Sequence, residues 1–327
     1  MKAGKISNTI LDRSIVKVIS KKPKSKLLNR PAPGHDCSAW VCDEYDNIAL
    51  VSGMGYGDTG VYTAVNNLAV EGVRATAIQC SVVMPATNRE IALKRVMNRI
   101  NQDCLELDVE IAGGHTQISA AVSEPIISIT ATGLCPRDKR LRAASAKPEQ
   151  DIVLTKWIGI GGARALIDRK REELVAHFNE ATVEIAYGKR NYLSVVEEAG
   201  LAKTAGVTAM HDVSQGGIYA ALWDMAEAAH IGLDVDFRAI PVSQEIIEVC
   251  EMYDINPYEL DSTGCLLMTT EDGCAIVDMF EEHGIPAAVI GRTVAGNDRV
   301  IRNRDEVRYL EAPKPDEIHR FEAEYAD

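Results

Sequence analysis

Met210-His211-Asp212-Val213-Ser214-Gln215-Gly216-Gly217 joins a β-tolerant apolar run, Ala205 to Met210, to an amphipathic helix. The helix places Ile218, Leu222 and Met225 on one face, with Trp223 beside them. An acid, two hydrogen-bonding side chains and a glycine pair therefore sit at the start of a helix. Free backbone N–H groups and a favourable dipole end make such a start an anion site. The alternative is structural: Ser214 caps the helix and the glycines ease a tight turn. The segment alone leaves both readings open.

The chain has 327 residues, more than the usual size of one domain, so two are expected. Apolar residues make up 46% and charged residues 25%, the balance of a globular protein with sizeable cores. A net charge of −13 argues against backbone-driven nucleic-acid binding, which needs basic surface. It leaves room for a local cationic pocket. The eight cysteines form no C-x-x-C pair, and several lie in apolar runs, so they are expected as reduced thiols. The N-terminus carries no continuous apolar signal core, and no run approaches membrane-spanning length. A cytoplasmic protein that touches neither membrane nor nucleic acid is expected.

Along the chain, residues 1–33 read as an N-terminal arm with one short helix around Ile10 to Ile19. Strands are expected at Ala39 to Cys42, Ile48 to Val51, Ala75 to Val83, Val109 to Ala112 and Ile126 to Thr132. Between them lie a helix bearing Val61, Val65 and Leu68, which Gly72 ends, and one bearing Leu93, Val96, Met97 and Ile100. Thr87-Asn88-Arg89-Glu90 has the spacing of a capping box for the second. After Pro148 strands recur at Ile152 to Thr155, Leu233 to Phe237, Cys265 to Thr269 and Ala287 to Ile290. Helices are expected through Ala165, at Gln244 to Tyr253 and at Gly273 to His283. Both halves, 34–148 and 149–327, are thus mixed α/β.

Three further segments carry chemistry. Gly34-His35-Asp36-Cys37-Ser38-Ala39 puts a carboxylate in a turn before a strand. Val65-Asn66-Asn67-Leu68-Ala69 puts two amides on a helix. Ala112-Gly113-Gly114-His115-Thr116-Gln117 ends a strand in a glycine pair followed by polar side chains, a common ligand position in α/β folds. Each has a plain structural reading as well: Asn66 and Asn67 facing solvent, His115 a hydrogen-bonded structural histidine.

Taken in order, these segments resemble the superfamily of aminoimidazole-ribonucleotide (AIR) synthetase, selenophosphate synthetase, thiamine-monophosphate kinase and the hydrogenase-maturation protein HypE. Its G-x-D-A-A turn is matched by Gly34, Asp36 and Ala39, and its N-D-L-A helix by Asn66, Asn67, Leu68 and Ala69 with one change. Its G-G-H-T loop is matched by Gly113, Gly114, His115 and Thr116. The opening of its second domain is matched from Gln150-Asp151 to Gly159, and its D-x-x-x-G-G joint by Asp212 to Gly217. The HypE branch is favoured by Asn256-Pro257-Tyr258-Glu259-Leu260-Asp261-Ser262-Thr263-Gly264 and by Val289 to Val294.

The resemblance implies a two-domain α/β fold whose first domain pairs with a second copy in a shared β-barrel, giving a homodimer. It implies ATP and Mg²⁺ as cofactors, with Asp36 on the metal and Asp58 as a helper. It assigns Asn66, Asn67 and Gly113 to Thr116 to the nucleotide. His211, Asp212, Ser214, Gln215, Gly216 and Gly217 would face the phosphate or acceptor, with His211 and Asp212 as the catalytic pair. His211 suits proton transfer, since an imidazole titrates near neutrality; a satisfied structural histidine is the alternative.

The chain also departs from the pattern. Asn67 replaces an acid, His115 stands where the hydrogenase branch has an acid, and Val51-Ser52-Gly53-Met54-Gly55 lacks an acid that relatives carry. Neutral amides and imidazole are poorer ligands for a hard cation. The chain ends Glu324-Tyr325-Ala326-Asp327 and its last cysteine is Cys274, so chemistry on a C-terminal thiol is not expected. Two functional readings follow. One is a HypE-like, ATP-dependent activity on an unidentified acceptor. The other is a non-catalytic protein that binds a nucleotide or phosphometabolite, or acts as a scaffold.

Overall fold

The computed structural model describes residues 8–19, 27–28, 37–43 and 45–325. Helix α1 (Asn8–Leu11) runs into a π-type turn, Asp12–Val16, over the stretch expected to be helical. From residue 37 onward the chain forms two compact units that divide near residue 140.

The N-terminal unit is a sheet of β1 (Cys37–Val41), β2 (Asn47–Ser52), β3 (Gly55–Tyr56), β4 (Ala75–Pro85), β5 (Glu110–Ser119) and β6 (Ile126–Pro136). The spatial order is β1-β2-β6-β4-β5, with β3 on β6. All pairs are antiparallel except β4 with β5. Helices α2 (Gly60–Ala69) and α3 (Glu90–Glu106) supply the packing partners. Alternation along β6 buries Ile127, Ile129 and Ala131 on one face. The other face stays open, as antiparallel sheets allow, and exposes Leu134. Helix α2 buries Val61, Val65 and Leu68, and the turn after it places Gly72 at a φ of 73°. In that turn the Val73 N–H donates to the Leu68 carbonyl.

Two expectations need correction here. The Thr87 capping box does not form: α3 starts at Glu90 with Arg89 as its first flanking residue and no side-chain cap. The Asn88 N–H instead closes a turn on the Pro85 carbonyl. Gly113 to Gln117 is not a loop beyond a strand but the interior of edge strand β5, with Gly113 opposite Gln79 and Thr116 opposite Val82. Gly114, at a φ of 154°, lies so close to the Cys80 carbonyl that no side chain fits, so the glycine continues the strand.

The C-terminal unit is built on a seven-stranded sheet. Its strands are β7 (Asp151–Thr155), β8 (Ala209–Val213), β9 (Gly232–Asp236), β10 (Cys265–Thr270), β11 (Ala287–Val294), β12 (Arg299–Asn303) and β13 (Glu306–Tyr309). The order is β13-β12-β9-β11-β7-β10-β8, and only the β9–β12 pair is parallel. Helices α4 (Ile160–His177), α5 (Glu180–Gly188) and α8 (Gln244–Met252) pack on one another, and α6 (Val196–Ala205) packs on α9 (Gly273–Glu282). Helix α7 (Gly217–Ala229) lies on β8 and β9, and α10 (Glu317–Glu324) lies against α4. Ile218, Leu222 and Met225 of α7 are fully buried against Leu154, Leu233 and Leu267. The helical spacing thus seats α7 as read from the sequence, and this seating positions the glycine joint.

The fold therefore depends on the α7 seam. Leu222→Ala should cost about 2–5 kcal/mol, the range for emptying a buried leucine site, measured as a lower urea midpoint with an unchanged slope.

Candidate functional site

The glycine joint is built around a turn from another part of the same unit, Tyr258 to Thr263. His211 and Asp212 do not lie in the joint itself. They are the third and fourth residues of β8, opposite Leu267 and Leu266 of β10, and strand alternation sends them to opposite faces. Both are buried, at 7% and 3% exposure. The His211 Nδ1 lies 2.6 Å from the Asp212 carbonyl oxygen and 4.0 Å from the Asp212 carboxylate. Ser214 is half-buried and Gln215 is exposed.

The backbone then turns through Gly216 and Gly217, at φ values of 82° and 64°. Glycine meets that demand without strain. A Cβ on Gly217 would also stand 2.5 Å from the Tyr258 carbonyl oxygen and 2.8 Å from that of Leu260.

Three amides around the start of α7 are engaged within the chain. Gly216 N–H donates to the Asp316 carboxylate at 2.6 Å, Gly217 N–H to the Ser214 carbonyl at 3.0 Å, and Tyr219 N–H to the Tyr258 carbonyl at 3.3 Å. Helix α4 is treated alike: Gly159 N–H donates to the Ser262 hydroxyl at 2.8 Å and Gly162 N–H to the Asp261 carbonyl at 2.8 Å. The Asp261 carboxylate takes the Thr263 N–H at 2.8 Å and its hydroxyl at 2.7 Å. A Cβ on Gly161 would lie 2.9 Å from that carboxylate. Two helix starts thus face two acids, Asp316 buried and Asp261 half-buried, a favourable placement for negative charge.

Burial raises the pKa of Asp261, against the two Thr263 hydrogen bonds that lower it. Burial likewise pushes Asp316 up to about 7, helped by the charge of Asp261 and opposed by the amides of Gly216 and Ile318. Neither acid stood out in the sequence. Asp316 precedes Glu317-Ile318 in a Pro-Lys-Pro-Asp run, and its carboxylate caps α10 through the Ile318 N–H at 2.9 Å. That cap was legible as a helix start. The bond to Gly216, 100 residues away, had no sequence signal.

In the N-terminal unit the proposed residues are dispersed over three elements. Asn66 and Asn67 are buried on α2, and the Asn67 carbonyl accepts from the Cys37 thiol at 3.1 Å. Gly113, Gly114, His115 and Thr116 are exposed along β5. Asp58 forms an ion pair with Arg99. Asp36, with its Gly34 and His35 neighbours, lies outside the described residues. No group of three or more His, Cys, Asp or Glu side chains gathers as a metal site among the described residues. Asp58, with its charge held by Arg99, does not by itself fit Mg²⁺.

Comparison with known proteins follows this geometry. Residues 41–135 match the AIR synthase related protein N-terminal domain, and residues 147–303 match its C-terminal domain. The chain belongs to the AIR synthase related family. It is similar to a putative hydrogenase expression/formation protein of Methanocaldococcus jannaschii, 27% identical over 253 residues that cover 76% of this chain and 73% of that protein. Its fold matches that of Escherichia coli HypE, a hydrogenase maturation protein, with a TM-score of 0.67 at 20% identity, over 80% of this chain and 81% of the other. It also matches a HypE solved in complex with ATP, with a TM-score of 0.64 at 16% identity over 96% of each chain. The chain is therefore a HypE-like member of the family. Both glycine-started helices and the Tyr258 to Thr263 turn lie within the matched C-terminal domain, whereas Asp316 lies beyond it. Among the described residues, no helix is long and apolar enough to cross a membrane.

The Asp316 carboxyl gives a signed pH dependence. Its folded pKa near 7 exceeds the ordinary 3.8, so between those values the native state holds a proton that the unfolded chain has lost. Stability from this group is complete below pH 4 and falls as pH rises toward 7. Urea unfolding from pH 5 to 8 should show the wild-type margin over Asp316→Asn shrinking as pH rises. A margin that is flat or grows with pH would contradict the buried acid.

Proposed function

We propose that this chain binds ATP and uses it to activate an acceptor, in the manner of a HypE-like protein. The observation that carries this reading is the match to both family domains in order, together with the HypE neighbour solved with ATP over nearly the whole chain. In the C-terminal unit the proposed nucleotide contacts are exposed Gln215 and half-buried Ser214. In the N-terminal unit, taken by itself, they are the exposed Gly113 to Thr116 stretch, while Asn66 and Asn67 are buried in α2. His211 and Asp212 are the proposed catalytic pair, and both are buried in β8. Gly216 and Gly217 provide the close backbone approach. Asp36 would be the metal acid if Mg²⁺ accompanies the nucleotide.

A second reading, binding of a nucleotide or phosphometabolite without turnover, is favoured by one observation: Asp58 is bound by Arg99, and position 67 is an amide. Calorimetry with ATP, with and without Mg²⁺, followed by an ADP-release assay separates the two. Metal-dependent turnover lost in Asp36→Ala supports the enzyme. Binding without turnover across carboxylate, amide and thiol acceptors assigns the second reading. No nucleotide binding by the wild-type chain overturns the first reading and confines the second to a phosphometabolite.

We also propose a homodimer formed through the N-terminal unit. Support comes from its open sheet face and its unpaired edge β5, where Leu134 is 63% and Ile118 is 59% exposed. Light scattering should give twice the mass of one chain, and Ile118→Lys with Leu134→Lys should halve it while the melting temperature holds. A wild-type monomer at micromolar concentration would refute the pairing.

A further inference from the structure

Hairpin β12–β13 and the run from Leu310 to Lys314 enclose, with α7, a cleft of about 200 Å³. Its apolar surface comes from Ala220, Ile301 and Leu310, all buried. One lining residue, Tyr219, is the outer member of an aromatic stack that continues behind the cleft. Tyr219 stacks on Tyr258 with ring centres 5.5 Å apart, and Tyr258 stacks on Phe237 at 4.6 Å. Burial pushes the Tyr219 phenol up to about 12, so it is a neutral hydroxyl at ordinary pH.

Arg308 spans this stack. Its guanidinium carbon is 5.6 Å from the Tyr219 ring centre and 5.3 Å from that of Phe237, and it donates to the Tyr219 hydroxyl. Both arginines of β12 are ion-paired, Arg299 with Glu227 at 2.6 Å and Arg302 with Asp234 at 2.7 Å. Lys314, the other cation of the cleft, is held by Glu311 at 3.0 Å and Glu259 at 3.5 Å. Among the described residues, Arg308 has no carboxylate partner; its contacts are the tyrosine hydroxyl and the rings. An exposed guanidinium lying between two aromatic rings, with one terminal nitrogen on the Tyr219 hydroxyl and the remaining N–H donors free of any carboxylate, can take a planar oxyanion.

The geometry points to a binding site for a small planar carboxylate, with the carboxylate on Arg308 and the flat apolar body over Ala220, Ile301 and Leu310. The carboxylates of Glu259 and Glu311 offset the cations of the lining, which favours a singly charged ligand over a phosphate dianion. A volume of about 200 Å³ falls below the roughly 300–1,000 Å³ of drug-sized pockets, so it suits one ring and not a nucleotide. The cleft is also lined by Gly216 of the glycine joint, so this site adjoins the proposed nucleotide contacts; it is tested without ATP so that the two readings fail separately.

The full chain would be titrated with benzoate and with benzamide, its neutral counterpart, by ligand-observed NMR. Benzoate should bind about tenfold or more tightly than benzamide, a difference of about 1.4 kcal/mol. Arg308→Met should remove that preference, Arg308→Lys should weaken benzoate while keeping the fold, and Arg302→Met should leave binding intact. Equal affinity for benzoate and benzamide, a preference that survives Arg308→Met, or tighter binding of phenyl phosphate than of benzoate would each overturn the assignment.

Discussion

The amides that open α4 and α7 need partners, and one short turn supplies or positions most of them. Leu260 to Thr263 brings the Ser262 hydroxyl to Gly159, the Asp261 carbonyl to Gly162, and the Ser262 N–H to the Ser214 carbonyl. Unsatisfied helix ends are costly when buried, so this turn cannot shift without exposing two helices at once. The glycines are the other side of the same constraint. Side chains at Gly161, Gly162 or Gly217 would strike Asp261, Leu260 or the Tyr258 carbonyl. Two remote glycine-rich segments thus share one cause, which is close approach to the same turn.

This arrangement also decides the electrostatics. Carboxylates at helix starts are favourable, but two of them buried in one region oppose each other's ionisation. Asp316 therefore stays partly protonated near neutrality, and it occupies the Gly216 amide that an incoming phosphate oxygen would otherwise take. In the proposed reading a nucleotide at the joint would meet Gln215 first, and because Asp316 already holds the Gly216 amide, side chains would contribute more there than that amide.

The alternation of strands and helices was legible because apolar periodicity records burial, and burial is what the sheets and α7 impose. Val61, Val65 and Leu68, and Ile218, Leu222 and Met225, sit where their spacing put them. Departures fall where a long-range contact overrode local chemistry. Gly113-Gly114 looks like a strand end by composition, yet the β4 backbone at Cys80 takes the space a side chain would fill and the strand runs on to Ser119. His211 and Asp212 look like loop residues because they are polar, yet pairing with β10 draws them into a fully buried strand. Hairpin β12–β13 escaped notice because charged residues occupy so much of Arg299 to Tyr309, and its last four residues are exposed. The candidate site was legible by its glycines and its order along the chain. Its acids at 261 and 316 were not, since only the folded chain brings them together.

The altered acids of the N-terminal unit are consistent with a self-sufficient site. Position 67 lies on the buried side of α2, at 6% exposure. A carboxylate there would carry a desolvation penalty of several kcal/mol unless a cation or donors offset it. An amide pays far less, and α2 packs without any cation. Asp58 is in a different situation: its charge is retained but spent on Arg99, so a metal ion would have to compete with a guanidinium already in place. The amide at position 67 and the Asp58–Arg99 ion pair act in the same direction: each lowers the electrostatic gain on binding a cation. Any metal-dependent chemistry then leans on Asp36, because a single carboxylate with several waters is still a workable Mg²⁺ site when phosphate oxygens complete the shell.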